Sequence, residues 1–185
     1  MTVRPILFAA PMVRAIISGA KTQTRRVIMS IGADKLCPYG APGDRLWVRE
    51  TFAEFPAPGD FIYRADFEEP LADRLKWEPS SRMPHRASRL TLAVTGVRVE
   101  RLQEITEADA RAEGISRVPF RPDDGFPICD GYMVGQDDGV STLGPTARGV
   151  FEGLWESING KRPRCSWGDN PWVWVVEFQR AEVTP

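Results

Sequence analysis

The chain has 185 residues, 42% of them hydrophobic, so it can bury one sizeable core, and we expect a single domain spanning residues 1–185. Its formal net charge of −1 excludes a protein that binds polyanions through its overall charge. No apolar run reaches the roughly 18 residues of a membrane span. Residues 1–5 lack the start of a secretory signal, so the sequence predicts a cytoplasmic protein without a membrane partner.

The cysteines lack the paired spacing that is typical of a metal site. Cys37, Cys129 and Cys165 are odd in number and far apart in the sequence, so at least one thiol has no intramolecular disulfide and we expect reduced thiols. A zinc site formed by these three cysteines and His85 is stoichiometrically feasible, but it requires four distant segments to converge. We therefore expect neither a metal nor another cofactor.

The first half of the chain predicts one short helix followed by strands. Residues 11–19 carry apolar side chains at helical spacing, with proline near the start and glycine at the end. The basic segment 21–26 is then expected to be a turn that leads into a strand near residues 26–28. Further strands are predicted at 45–51, 61–64 and 90–99. Within the last of these, Gly96 predicts a bulge or a sharp bend.

The second half predicts two helices and a closing strand. Residues 105–114 form a helix with Thr106 as its N-cap, and residues 150–158 repeat the apolar pattern of an amphipathic helix. Residues 117–146 are rich in proline, glycine and aspartate, which predicts a long, mobile loop. Residues 171–178 predict a buried strand. Because strands predominate and βαβ alternation is absent, the sequence indicates an α+β domain built around a compact barrel.

Four segments of this pattern together resemble one known family. They are SGAKTQTRR at 18–26, PGDRLWVRE at 42–50, TEADARAEG at 106–114 and WVWVVEF at 172–178. The combination resembles the ASCH family, in particular its larger, phage- and prophage-type members. It implies a PUA-like mixed β-barrel with flanking short helices, into which residues 52–85 and 117–147 look like long loop insertions.

The resemblance also implies a chemistry. The family is linked to RNA and to modified nucleotides, and one small bacterial branch is an amidohydrolase that removes the acetyl group from N4-acetylcytidine. That branch uses the lysine and the second threonine of a K-T-x-T motif and a glutamate in the helix after the central strands. The resemblance therefore implies that Lys21, Thr24 and Glu113 are catalytic, with a modified nucleoside, RNA or DNA as the partner.

Hydrolysis of an amide requires a nucleophile, a proton acceptor and donors for the oxyanion. Thr24 offers a hydroxyl that needs an adjacent base, and Lys21 is the nearest candidate. A lysine is charged at neutral pH unless burial or positive neighbours such as Arg25 and Arg26 lower its pKa. A nearby Glu113 carboxylate would raise the pKa of Lys21 instead. Two alternatives therefore remain: Lys21 and Glu113 share a proton, or Glu113 holds the exocyclic nitrogen of the base and protonates the leaving amine.

Further residues are predicted to bind the substrate. Arg25 or Arg26 could hold a phosphate or a carbonyl with the planar fork of its guanidinium. Glu50 ends an apolar strand, so it either points into the barrel mouth or pairs with Arg45 or Arg49.

The chain contains six tryptophans, whose faces can stack on nucleobases. We expect most of them in the core. Trp167 is predicted to be the exception, because polar residues flank it in a loop beside the basic segment 161–164.

Three functions remain open on this basis. The first is hydrolysis of an acylated pyrimidine nucleoside at a polar pocket where Lys21, Thr24 and Glu113 meet. The second is non-catalytic binding of RNA or DNA. The third is ribonuclease activity, against which the lone His85 counts because paired histidines would be the usual acid and base.

Overall fold

The computed structural model describes residues 1–29, 36–67, 75–120, 129–134 and 143–181. Its strands are β1 (Val3–Leu7), β2 (Gln23–Val27), β3 (Arg45–Arg49), β4 (Phe52–Glu54), β5 (Phe61–Tyr63), β6 (Thr91–Arg101), β7 (Ile115–Phe120), β8 (Cys129–Val134) and β9 (Trp172–Arg180). Its helices are α1 (Ala10–Ile17), α2 (Glu107–Ala112) and α3 (Ala147–Asn159). The α+β class is thereby confirmed.

A mixed five-stranded sheet in the order β1-β3-β6-β9-β2 forms the centre of the described structure. β1 runs parallel to β3, and the other neighbours are antiparallel. Backbone pairing does not join the edge strands β1 and β2 in the described residues. Instead, the Arg26 guanidinium of β2 donates to the Leu7 carbonyl of β1 at 2.7 Å. In the part of the chain that the structure describes, the sheet is therefore open in its hydrogen bonding, and a closed barrel is not seen.

The two faces of this sheet bury separate cores. On one face, which we call the α1 face, Val176 and Phe178 belong to the same buried cluster as Val13 of α1. On the opposite face, the α2 face, Val173 and Val175 pack with residues of α2 and α3. Because side chains alternate along a strand, the even-numbered residues of β2 and β9 lie on the α1 face and the odd-numbered ones on the α2 face.

Several predicted elements are confirmed. The helices predicted at 11–19, 105–114 and 150–158 correspond to α1, α2 and α3, and Thr106 caps α2 by accepting from the Asp109 amide. The register between β6 and β9 shifts between Val94 and Gly96, which is the predicted bulge.

Two predictions are wrong. Residues 23–27 form β2 rather than a turn, because carboxylates of neighbouring elements accept the charged side chains and let the segment be buried. Residues 115–120 and 129–134 form an antiparallel hairpin rather than loop. The remainder of the predicted loop at 121–128 and 135–142 lies outside the described residues.

Among the described helices, none combines the length and the apolar character needed to span a membrane.

Candidate functional site

Lys21 and Glu113, 92 residues apart in the sequence, form a buried ion pair. The Lys21 ammonium donates to Glu113 Oε2 and to the Glu113 carbonyl, each at 2.7 Å. Both residues are at most 4% exposed. The structure therefore brings together two of the three residues predicted to be catalytic.

Backbone contacts at the end of α2 hold this pair in place. The Thr22 amide donates to the Ala112 carbonyl at 2.8 Å, and Lys21 and Glu113 form an antiparallel bridge. Gly114 follows with a φ of +96°, and a Cβ there would lie 3.0 Å from the Ala15 Cβ and 3.2 Å from the Lys21 Cβ. Glycine is thus required both by the backbone angle and by the close approach of α1 and Lys21.

Arg25 is the centre of a larger ionic network on the α2 face. Its guanidinium lies 3.3 Å from Glu113 Oε1, 3.0 Å from Glu100 and 3.6 Å from Asp109. Its side chain is fully buried. The network continues through Arg98, which pairs with Asp109 at 3.0 Å and also with Glu100 and Glu177. Arg25, predicted to bind substrate, is therefore occupied by carboxylates of its own chain.

Burial lowers the pKa of Lys21 below its usual value of 10.5. The charge and hydrogen bond of Glu113 oppose this shift, whereas the positive charges of Arg26 and Arg25 add to it. Lys21 therefore loses its proton more readily than a surface lysine, as a catalytic base requires.

Thr24 is also buried, with 4% of its surface exposed. It lies on the α1 face opposite Val176, so its side chain projects from the face of β2 that is turned away from Gln23 and Arg25. Among the described residues, no hydrogen bond joins its hydroxyl to Lys21 or to Glu113. The third predicted catalytic residue therefore lies in β2, three residues beyond Lys21, and among the described residues it is not hydrogen-bonded to the pair.

Arg26 lies on the α1 face with Thr24. Its guanidinium carbon is 5.2 Å from the centre of the Phe8 ring, and the Lys21 ammonium is 5.8 Å from the same ring. Its Nε is buried without a hydrogen-bond partner among the described residues, and burial lowers its pKa. The cationic ends of Lys21 and Arg26 thus converge on one aromatic ring, next to the strand that carries Thr24.

Glu50 lies elsewhere, at the end of β3. It is 1% exposed, and its two carboxylate oxygens accept from Nε and Nη2 of Arg89, at 2.9 and 3.0 Å. Burial raises its pKa even though Arg89 acts to lower it. Its partner is thus neither Arg45 nor Arg49. Arg89 also bonds Asp66 at 2.7 Å and lies 4.0 Å from the centre of the Tyr63 ring.

Trp167 is half-buried and packs against the core cluster beneath α3. Its ring meets Phe151 edge to face at 6.3 Å between centroids, and the Arg148 guanidinium lies 5.4 Å from its centre. No hydrogen bond, ion pair or ring contact joins it to Lys21, Thr24 or Glu113 within the described residues. Trp172 and Trp174, which were expected in the core, are likewise half-buried, on the α1 face, where Trp174 packs against the core cluster.

A groove of about 740 Å³ lies beside the end of α1. Its lining comprises Ile17, Ser18, Gly19, Arg89, Leu90, Thr91, Arg180 and Ala181. None of the predicted catalytic residues lines it. The predicted pocket shared by Lys21, Thr24 and Glu113 is therefore not this groove.

The described residues contain no group of three or more histidine, cysteine, aspartate or glutamate side chains arranged to hold a metal ion. Cys37 and Cys165 are free and buried. The side chain of Cys129 lies outside the described part of the chain.

No family model, curated protein or solved structure matches this chain. Its function therefore has to be argued from the chemistry of the Lys21 site and from the resemblance of its motifs.

Proposed function

We propose that the chain is an ASCH-type amidohydrolase that removes an acyl group from the exocyclic nitrogen of a modified pyrimidine such as N4-acetylcytidine. The observation that carries the proposal is the Lys21–Glu113 pair, a buried lysine with a lowered pKa held 2.7 Å from a buried carboxylate, with the buried Thr24 three residues further along the chain. Nucleophile, base and acid are the three groups that stepwise amide hydrolysis needs.

The proposed reaction starts from the form of the pair whose shared proton lies on Glu113, so that the Lys21 amine is neutral. In the first half, Thr24 Oγ1 adds to the acyl carbon and its proton passes to that amine. The carbonyl becomes an oxyanion, for which the Nε–H of Arg26, unpartnered among the described residues, is a candidate donor. Collapse of the oxyanion breaks the carbon–nitrogen bond, and the leaving amine takes a proton from the Lys21–Glu113 pair. The products of this half are the free base and an acylated Thr24.

In the second half, water adds to the ester and gives its proton to Lys21. The ester bond breaks, and Thr24 recovers its proton from the same pair. The sum is one amide and one water converted into one amine and one carboxylic acid, so no metal or redox partner is required.

The acyl group needs a path to this buried site. Lys21, Thr24 and Glu113 are each at most 4% exposed, but the sheet is open between β1 and β2. There the Arg26 guanidinium, rather than a backbone ladder, joins the two strands. We propose this gap as the entrance, with Arg26 leaving the Leu7 carbonyl to meet the substrate.

The test is mass-spectrometric loss of the acyl group from a panel of N4-acylated cytidines, with wild-type protein, Glu113→Gln and Glu177→Gln. Glu177 is the matched control, because it is a glutamate of the same ionic network but pairs with Arg98 and is 45% exposed. Glu113→Gln should reduce turnover by a factor of roughly 100 or more, as expected for loss of an acid or base. Glu177→Gln should stay close to wild type. Equal effects of the two substitutions would refute the role of Glu113.

A non-catalytic RNA- or DNA-binding module is the second candidate. It is favoured by Arg26, whose guanidinium has no carboxylate partner among the described residues. Binding of an oligonucleotide without loss of any acyl group from the panel would select it.

A further inference from the structure

The two faces of the central sheet differ in how their arginines are neutralised. On the α2 face, Arg25 and Arg98 are paired with carboxylates. On the α1 face, Arg26 and Arg101 lie in no salt bridge with a described residue, and they bond the carbonyls of Leu7 and Asn170 instead. Among the described residues, positive charge without a carboxylate partner therefore remains on the α1 face, although the chain as a whole is slightly acidic.

Two tryptophans lie between these arginines on the same face. In the register of the sheet, Arg26 and Val99 flank Trp174, and Arg101 lies opposite Trp172. The Arg101 guanidinium is 4.4 Å from the centre of the Trp172 ring, a cation–π contact. Both tryptophans are half-buried, and Val99 is 46% exposed. We call this surface of Arg26, Val99, Arg101, Trp172 and Trp174 the tryptophan platform.

The platform is continuous with the proposed site. Thr24 precedes Arg26 by two residues on the same face of β2, and Val176 and Trp174 are their partners in β9. Two residues along a strand span about 7 Å. The next cross-strand pair on this face after Thr24 and Val176 is therefore Arg26 and Trp174, and Trp172 lies two residues further along β9.

We propose that the tryptophan platform binds the nucleotides next to the target base, so that the ligand is a single-stranded nucleic acid rather than a free nucleoside. Aromatic faces accept bases of any sequence, and guanidinium groups on the same surface accept the phosphates between them. A duplex would not offer its base faces to such a surface. The part of this inference that concerns the acylated base rests on the proposed function, whereas binding of the strand does not.

The experiment measures fluorescence anisotropy of a labelled, unmodified single-stranded oligonucleotide, so hydrolysis plays no part in it. The double variant Trp172→Ala/Trp174→Ala should bind at least about tenfold more weakly, since loss of one base–tryptophan stack alone weakens binding about fivefold to a hundredfold. Trp47→Ala is the matched control. Trp47 is also half-buried and has an arginine, Arg49, 5.4 Å from its ring, but it follows Leu46 in β3 and therefore lies on the opposite face.

Arg101→Gln supplies a second readout that stands even if the double variant does not fold. It should make the negative slope of log affinity against log salt shallower by about 0.7, which is the value for one phosphate contact to a single strand.

Equal weakening of binding by Trp47→Ala, equal affinity for duplex, or an unchanged salt slope would each overturn the platform. Binding through the platform with no hydrolysis of any acylated cytidine would support the platform and refute the proposed function. Hydrolysis of free nucleosides without binding of the strand would support the proposed function and refute the platform.

Discussion

At the scale of single residues, Lys21 and Arg25 show how charged side chains are accommodated inside this protein. A buried charge is costly unless it is paired, and both residues meet Glu113, with Arg25 bonded to two further carboxylates. The resemblance of the K-T-x-T segment led to Lys21, and that of the TEADARAEG segment led to Glu113. The carboxylates around Arg25 could not be predicted, because they come from β6 and α2 and no local spacing links them to residue 25.

Arg25 therefore acts as a positioning residue in the proposed reaction, without touching the substrate. Its positive charge is one of the causes that lower the pKa of Lys21. Arg25→Gln removes that charge, so the pKa of Lys21 should rise and the alkaline increase in kcat/KM should move to higher pH. Arg25→Lys should restore the wild-type profile by restoring the charge.

The measurement is the pH dependence of kcat/KM on an N4-acylated cytidine. Arg98→Gln is its control, since Arg98 belongs to the same network but does not contact Glu113. A shift of the Arg25→Gln profile to lower pH, or the same shift in Arg98→Gln, would contradict this role.

At the scale of elements, the predictions succeeded where the apolar pattern was regular and failed where polar residues are buried. α1, α3 and β6 follow their sequence periods closely. β2 was missed because Gln23, Thr24 and Arg25 are all about 4% exposed, whereas sequence patterns assign such residues to the surface.

Two further misses involve proline. β1 contains Pro5 and pairs on one side only, as an edge strand can, and β7 contains Pro119 in a two-stranded hairpin. Proline in a short run argues against a central strand, but it is tolerated at edges.

The Glu50–Arg89 pair holds the end of β3. Substitution of Arg89 should lower the free energy of unfolding more than substitution of Glu50. Arg89→Met leaves the fully buried Glu50 carboxylate without its partner, so the free energy of unfolding should fall by about 3 kcal/mol at neutral pH. Glu50→Gln should cost less, because Arg89 is partly exposed and keeps Asp66. Arg82→Met, at an exposed pair with Glu78, should leave stability near wild type.

The cost of Arg89→Met should also depend on pH. Burial raises the pKa of Glu50 in the native state above its usual 4.5, and loss of Arg89 raises it further. A carboxyl whose pKa is raised in the native state does not reduce the free energy of unfolding at a pH below its pKa in the unfolded state. The reduction grows as the pH rises from there through the native pKa. Urea unfolding should therefore show a large loss at pH 7 that shrinks towards pH 4. A loss that grows on acidification would contradict the assignment.

At the scale of the whole molecule, the open edge between β1 and β2 links the fold to the proposed chemistry. A closed barrel was predicted, but the described strands form an open sheet in which the Arg26 guanidinium bridges the edges. Both the Lys21 site and the tryptophan platform lie along β2 and its neighbour β9. The net charge of −1 gave no hint of the platform, because it adds the arginines of the α1 face to carboxylates such as Glu100 and Asp109, which pair with arginines of the opposite face. Trp172 and Trp174 were missed because an aromatic, β-branched strand is usually buried on both faces.

The most direct test of the central claim is the release of acetate from N4-acetylcytidine by wild-type protein, Thr24→Ala and Thr22→Ala, followed by mass spectrometry. Thr22 is the matched control, an exposed threonine of the same segment that joins its neighbours through its backbone. Thr24→Ala should lower turnover by a factor of ~100 or more, while its thermal midpoint stays within a few degrees of wild type. Thr22→Ala should turn over substrate like wild type. Undiminished turnover by Thr24→Ala, or no acetate released by the wild-type protein, would contradict the account.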